Sequence, residues 1–352
     1  MRPPYTVVLI VPTGIGAAIG GYAGDALPVA RAIAQVADRL ITHPNVLNGA
    51  QLYWPLSNTF YVEGYGLDQF AAHRWGLRPV HQNRIGLVLD QGIESELRLR
   101  QLQAADAVRA TLGLTLTDYI VTDAPLGVQL QTGASGATWG TIQNPDSLLR
   151  AAEQLIQRAK AEAIAVVARF PDDPGSEALQ AYRHGHGVDP LAGAEAVISH
   201  LVVRHFAIPC AHAPALPPLP LDPVLSPKAA AEELGYTFLP SVLAGLSRAP
   251  QFVQHPAPGD IWSQEVNALI APANACGSSA LLHLSQSPAL IITVNDNQTR
   301  MQASPEAMGI EAIQVESYLE ALGVLVAHQA GIDIAALSPK LKPLQPLSQN
   351  SD

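Results

Sequence analysis

Three side chains stand where short apolar runs stop, and each has a chemistry of its own. Asp123 falls in DYIVTDA, His43 closes RLITH, and Cys276 lies in APANACGSSALL. A carboxylate or an imidazole at a strand end can move a proton. A thiol where a helix begins can be held as its thiolate by the helix dipole and can attack a substrate. Each residue also has an ordinary explanation. Ser278 or Ser279 would cap the same helix, and an Asx turn would account for Asp123.

A second set could hold a ligand. In VPTGIGAAIGG, Thr13, Gly14, Gly16, Gly20 and Gly21 follow a buried-strand pattern directly. A turn of this kind can present several backbone N–H groups to a phosphate or carboxylate. The spacing lies near G-x-G-x-x-G without matching it, and the GK[ST] of a phosphate loop is missing. Asp38 precedes the next strand, whereas a dinucleotide site wants its acidic residue at the strand end. No cofactor is therefore assigned. Tight packing of helix on strand, with no ligand, competes with the anion site. Asn45, Asn274, Ser278, Ser279, Asn295, Asn297 and Thr299 lie at presumed ends of other strands and would orient ligand oxygens, or else close Asx turns.

In YRHGHGVDP, His184, His186 and Asp189 form a candidate divalent-metal set of two imidazoles and a carboxylate. The competing reading is a loop in which Asp189 and Pro190 open the next helix. His200 and His205 read as packed or surface residues. EGYGLDQFAAHRWG, residues 63–76, is long enough to act as a lid.

These residues need elements to position them. Apolar runs of four to seven residues recur in YTVVLIV, RLITH, RIGLVLD, DYIVTDA, AIAVVARF, NALIAPA and ALIITVN, with helical patterns between most of them. Continuous apolar strands alternating with helices imply an α/β fold: a mostly parallel sheet with helices on both faces, in one or two lobes. Four strand ends (11–21, 42–50, 123–137 and 271–282) share a proline, then small or amide residues, then an expected helix. In such a sheet they would share the carboxyl edge, where α/β folds bind ligands. Asn144 and Pro145, and Ser304 and Pro305, read as helix starts. The stretch 209–227 carries seven prolines and is expected as a connector between an α/β portion over 1–208 and a C-terminal portion over 228–337, which either completes the sheet or forms a second lobe. Residues 338–352 read as a tail.

Composition limits the partners. Of 352 residues 48% are hydrophobic and only 14% charged, and the net charge is −10. That supplies a sizeable core and, through low charge density, points to a homo-oligomer. It argues against nucleic acid and against an anionic membrane surface, since both call for clustered Lys and Arg. The two cysteines, Cys210 and Cys276, make no disulfide framework, and no apolar run reaches membrane length. A cytoplasmic protein is expected.

The stretches VPTGIGAAIGGYAGDALPVARA, ITHPNVLNGA, GVDPLAGAEAVISHLV, APANACGSSALL and ITVNDNQTRM span residues 11–301. In them the chain resembles a family of cyanobacterial and plastid proteins of uncharacterised function. The resemblance implies a soluble protein, in the plastid stroma in plant relatives, and no particular reaction. The residues themselves favour a soluble enzyme that binds a small anionic metabolite at the carboxyl edge. A metal-dependent hydrolase or lyase and a non-catalytic metabolite-binding or assembly protein are the alternatives.

Overall fold

Apolar strands need cover on both faces, and the chain builds that arrangement twice. The structure is a computed structural model that describes residues 2–49, 54–171, 175–235, 238–339, 341, 343 and 344; the expected tail lies largely outside them. Among the described residues the strands are β1 (Thr6–Leu9), β2 (Arg39–Thr42), β3 (Thr59–Tyr61), β4 (Gly76–Arg78), β5 (Ile85–Leu89), β6 (Leu116–Val121), β7 (Val128–Thr132), β8 (Thr138–Ile142), β9 (Ala163–Arg169), β10 (Cys210–Ala215), β11 (Gln251–Val253), β12 (Val266–Pro272), β13 (Leu290–Val294) and β14 (Ile313–Val315). The α-helices are α1 (Leu27–Val36), α2 (Pro44–Leu47), α3 (Gly64–Ala71), α4 (Ser95–Leu112), α5 (Pro145–Ala159), α6 (Glu177–Arg183), α7 (Ala192–Phe206), α8 (Pro227–Glu233), α9 (Leu239–Ser247), α10 (Ser279–Leu284) and α11 (Tyr318–Ala330).

Two parallel sheets carry the fold. One has six strands in the order β14-β13-β12-β1-β2-β3, the other four in the order β10-β9-β5-β6. The first takes its strands from both ends of the sequence, so the C-terminal portion completes the sheet that β1 begins. The second comes from the middle of the chain. Alternation along the strands explains the layers. In β1, Val7 and Leu9 face Ile33 of α1 and Leu325 of α11. Val8 faces the other way, toward Phe70 of α3 and Leu281 of α10. In β5, Leu87 meets Val108 of α4 and Leu243 of α9, while Val88 meets Leu148 of α5 and Ile198 of α7. Each such large side chain, once buried, contributes about 1.5–3 kcal/mol.

Several expectations change here. The proline-rich stretch does not simply connect two halves: its residues 210–215 are β10. Pro214 is tolerated because β10 is an edge strand, where a missing N–H breaks no ladder. Residues 123–137 do not lead into a helix. They run into an antiparallel hairpin, with Thr132 opposite Thr138; VQLQT and TWGTI are short and β-prone, with a Gly-Ala-Ser-Gly turn between them. The SPEAMG segment makes only a turn, in which Ser304 Oγ accepts from Ala307 N. The helix cap is Ser317, whose side chain accepts from Glu320 N at the start of α11. Asn144 precedes α5 without a side-chain cap and donates instead to the Pro125 carbonyl. The segment 63–76 is not a lid, because α3 buries Leu67 and Phe70 in the core.

Candidate functional site

The ends of β1, β2 and β3, with the turn after β12, face the end of β10 across a cleft of about 330 Å³. Each lining side chain follows from a strand end or a helix face. Thr13 comes after β1, His43 and Asn45 after β2, Glu63 after β3, Ser278 after β12 and His212 from β10. Glu195 and Ser199 project from one face of α7, four residues apart. Glu232, at the end of α8, closes one side together with Phe238. The lining holds five carboxyl groups (Glu63, Asp68, Asp189, Glu195 and Glu232) and three histidines (His43, His200 and His212), with no lysine or arginine.

The cleft is therefore acidic, and burial decides how its groups hold protons. Glu63 caps α3 by accepting from Tyr65 N at 2.8 Å, and its other oxygen pairs with His200 Nδ1. Gly64 permits that pairing: a Cβ there would lie 2.9 Å from His200 Cε1. Burial pushes the His200 pKa down, but Glu63 and then Asp68 outweigh it, and the result is raised. Asp68 accepts from Ala280 N at 2.9 Å, yet burial raises its pKa. Asp189 is raised well above the carboxylate range, first by burial and then by the charges of Glu232 and Glu195. Burial also brings Glu232 up to about 7, against the pull of the Tyr182 hydroxyl, which donates to it at 2.6 Å; Glu195 and Asp25 add to the rise.

One group has the connectivity of a proton relay. His212 Nδ1 lies 3.1 Å from Ser199 Oγ, and its Nε2 lies 3.7 Å from Glu195 Oε2. A proton on Nε2, drawn toward Glu195, leaves Nδ1 free to accept from the Ser199 hydroxyl. The alternative hydroxyl partner is the Ala196 carbonyl at 3.4 Å.

The turns singled out in the sequence do meet, but they bond to one another. Asn297 is fully buried; it accepts from Ile19 N and donates to Ile19 O and the Tyr318 hydroxyl, all within 2.9 Å. Asn45 donates to Gly20 O at 2.7 Å. Asn274 and Thr299 bond each other at 2.9 Å, and Asn295 donates to Glu316. In the glycine loop, Ala18 N donates to Gln298 O, Ile19 N to Asn297, and Gly20 N to Asp25. These N–H groups are occupied and not offered to an anion. Gly14 faces Thr138 and Gly193, Gly20 packs on Val11, and Gly21 approaches Ala17. Gly16, near Val188, borders with Gly21 a separate, open depression beside Arg300. Of the expected ligand-binding residues, Thr13, Asn45 and Ser278 line the cleft. Ser278 caps α10 by accepting from Leu281 N, and Ser279 is exposed beside His283.

The three expected reactive residues do not meet. Asp123 follows β6, three strands from β10, about 14 Å across the sheet. It is exposed; Arg150 binds it through two bonds of 2.8 Å, and Arg150 and Ser147 hold its pKa down to about 2, which makes it a poor base. Cys276 precedes α10 instead of opening it, is fully buried, and has its pKa raised to about 11 by burial. His43 does line the cleft, but its Nε2 accepts Val11 N–H at 3.0 Å and burial lowers its pKa to about 4. It stays neutral, with Nδ1–H left as a donor and no lone pair to act as a base. The metal set is likewise dispersed. His184 pairs with Asp222 at 2.9 Å, His186 is exposed, and Asp189 accepts from Leu191 N at the start of α7. Among the described residues no group of three His, Cys, Asp or Glu could hold a metal ion.

A model of the family described as "Protein of unknown function (DUF3326)" matches residues 6–338. The chain belongs to that family. A curated relative is an uncharacterised lipoprotein of Synechococcus sp., 61% identical over 336 residues, which are 95% of this chain and 93% of that protein. The resemblance to cyanobacterial proteins thus holds. No solved structure matches the chain. Among the described residues, no helix is long and apolar enough to cross a membrane.

Sequence reasoning missed most of the acidic cleft of this DUF3326 chain. Glu63 and Asp68 stood in the segment read as a lid, and His200 was set aside as packed or surface. The i, i+4 pair Glu195 and Ser199, with His200 next to it on the same helix, was an available signal. AAAEELG gave none for Glu232.

Proposed function

We propose that the protein is an enzyme that moves protons on a small polar molecule bound in the cleft between the two parallel sheets. The reading rests on one observation: five carboxyl groups and three histidines converge on a single concave site without a lysine or arginine. Such a lining suits hydroxyl and ammonium donors, and offers no lysine or arginine to the anion expected from the glycine loop. His212, between Ser199 and Glu195, is the general base and acid. Glu232, with a pKa of about 7, exchanges protons at neutral pH. His43 Nδ1–H and Thr13 orient the substrate. The protein is assigned to the cytoplasm on its two free, buried cysteines, which fit a reducing compartment. Recovery of the untagged protein in the membrane fraction, as the relative's lipoprotein name suggests, would overturn that placement.

The test is a thermal-shift panel of polyols, amino sugars, amines and carboxylates on the parent protein and on Ala196→Trp, which puts an indole into the cleft. Stabilisation by neutral or cationic compounds that Ala196→Trp abolishes supports the reading. Stabilisation confined to anions, or unaffected by Ala196→Trp, contradicts it.

A further inference from the structure

Beside the acidic cleft lies a second cavity, of about 200 Å³ and different chemistry. That cavity is walled by Leu130, Leu179, Leu191, Leu216 and Leu219 and by prolines 217, 218 and 220. Asp189, Glu232 and Phe238 line both spaces, so the two adjoin at those three side chains. Phe238 is held there at a φ of 45°, a conformation that a bulky residue rarely adopts.

We propose that the two cavities are one binding site for a cationic amphiphile, a small ammonium-bearing head with an apolar chain or ring. The head lies against Asp189 and Glu232, and the apolar part enters the leucine- and proline-lined pocket. The inference rests on the cleft being the working site and adds the substrate class. The junction selects the head: both carboxyls face the cleft, an ammonium group beside them opposes the burial that holds their protons on, and no lysine or arginine lines either cavity. The ring of Phe238 at the junction suits an ammonium group, which aromatic faces attract. The apolar lining selects the tail, since transfer of a hydrocarbon chain out of water is favourable for every methylene buried. Rigid prolines form a wall that loses little entropy when a ligand settles against it.

The test uses n-alkylamines from ethyl to hexyl as probes, with n-hexyl sulfate as the counter-probe, titrated into the full chain and into Leu219→Trp and Leu179→Trp. The expected result is a Kd that falls about fourfold per added methylene in the parent protein. That dependence flattens in either tryptophan variant, and the sulfate does not bind. The parent series stands by itself if the variants fail to fold. Equal affinity for ethyl- and hexylamine overturns the inference while leaving the cleft reading in place, as does a chain-length dependence unchanged in both variants. Hexyl sulfate binding as tightly as hexylamine overturns the cationic head. No binding by any amine overturns the inference; if polyols and amino sugars also fail, the cleft reading falls with it.

Discussion

The seam around the glycine loop and the cleft beside it each gather polar residues and do opposite things with them. At the seam, Asn297, Asn45, Asn274 and Thr299 find partners in one another and in the loop backbone, and Asn297 has no exposed surface left. In the cleft, Glu232, Glu195 and His212 line open space and hold only part of their hydrogen-bonding capacity against protein. Satisfied polar groups fix a conformation, while those facing a cavity are available to a ligand. Asparagines and glycines clustered at strand ends therefore mark where this fold is stitched, and the carboxyl groups mark where it can act.

The largest expected effect breaks the seam by steric means. Gly20→Val places a Cβ 2.4 Å from Val11 Cγ1 at a φ of 93°. It should lower unfolding stability by roughly 4 kcal/mol, read from the urea midpoint. A loss under 1 kcal/mol would mean that the loop is not packed as described. Next is Asn297→Ala, which strips partners from Ile19 N–H, Ile19 C=O and the Tyr318 hydroxyl. The expected loss is about 3 kcal/mol by the same measurement, without loss of any ligand response beyond what lower stability imposes.

The cleft should respond to pH where the seam does not. The folded pKa of Glu232, about 7, lies above its ordinary 4.5. Its stabilising contribution is therefore fully present below pH 4.5 and is lost as pH rises through 7. Glu232→Gln removes that loss, so the variant should gain about 2 kcal/mol on its parent between pH 5 and pH 8, measured by denaturation at each pH. A constant difference across that range would place Glu232 in water. The smallest effect is at Asp123. Its exposed pair with Arg150 lies away from the cleft, so Asp123→Asn should leave the unfolding midpoint and any ligand response unchanged.

The strands were legible because buried parallel strands must be apolar on both faces. β1, β5, β9, β12 and β13 stand out as unbroken runs. β10 was hidden by its prolines, which only an edge position allows, and three-residue strands such as β14 are too short to show a pattern. The meeting of the turns at 11–21, 42–50 and 295–300 followed from the logic of the carboxyl edge. Which residues stay free was not legible, because it depends on pairings 278 residues apart, as between Ile19 and Asn297. Cys276 illustrates the limit: the sequence puts a thiol near a helix start, but burial against Pro272 and Ala273 leaves it inert.

The account's central claim is that the cleft carboxyls, and not the seam, receive the ligand. Calorimetric titration of n-butylamine at pH 7, in two buffers of different ionisation enthalpy, tests it directly. A cation seated against Glu232 and Asp189 must displace the protons that burial holds on them, so net proton release is expected on amine binding, less in Glu232→Gln, with no binding in Ala196→Trp. Binding with no proton release, or binding that survives Ala196→Trp, would contradict it.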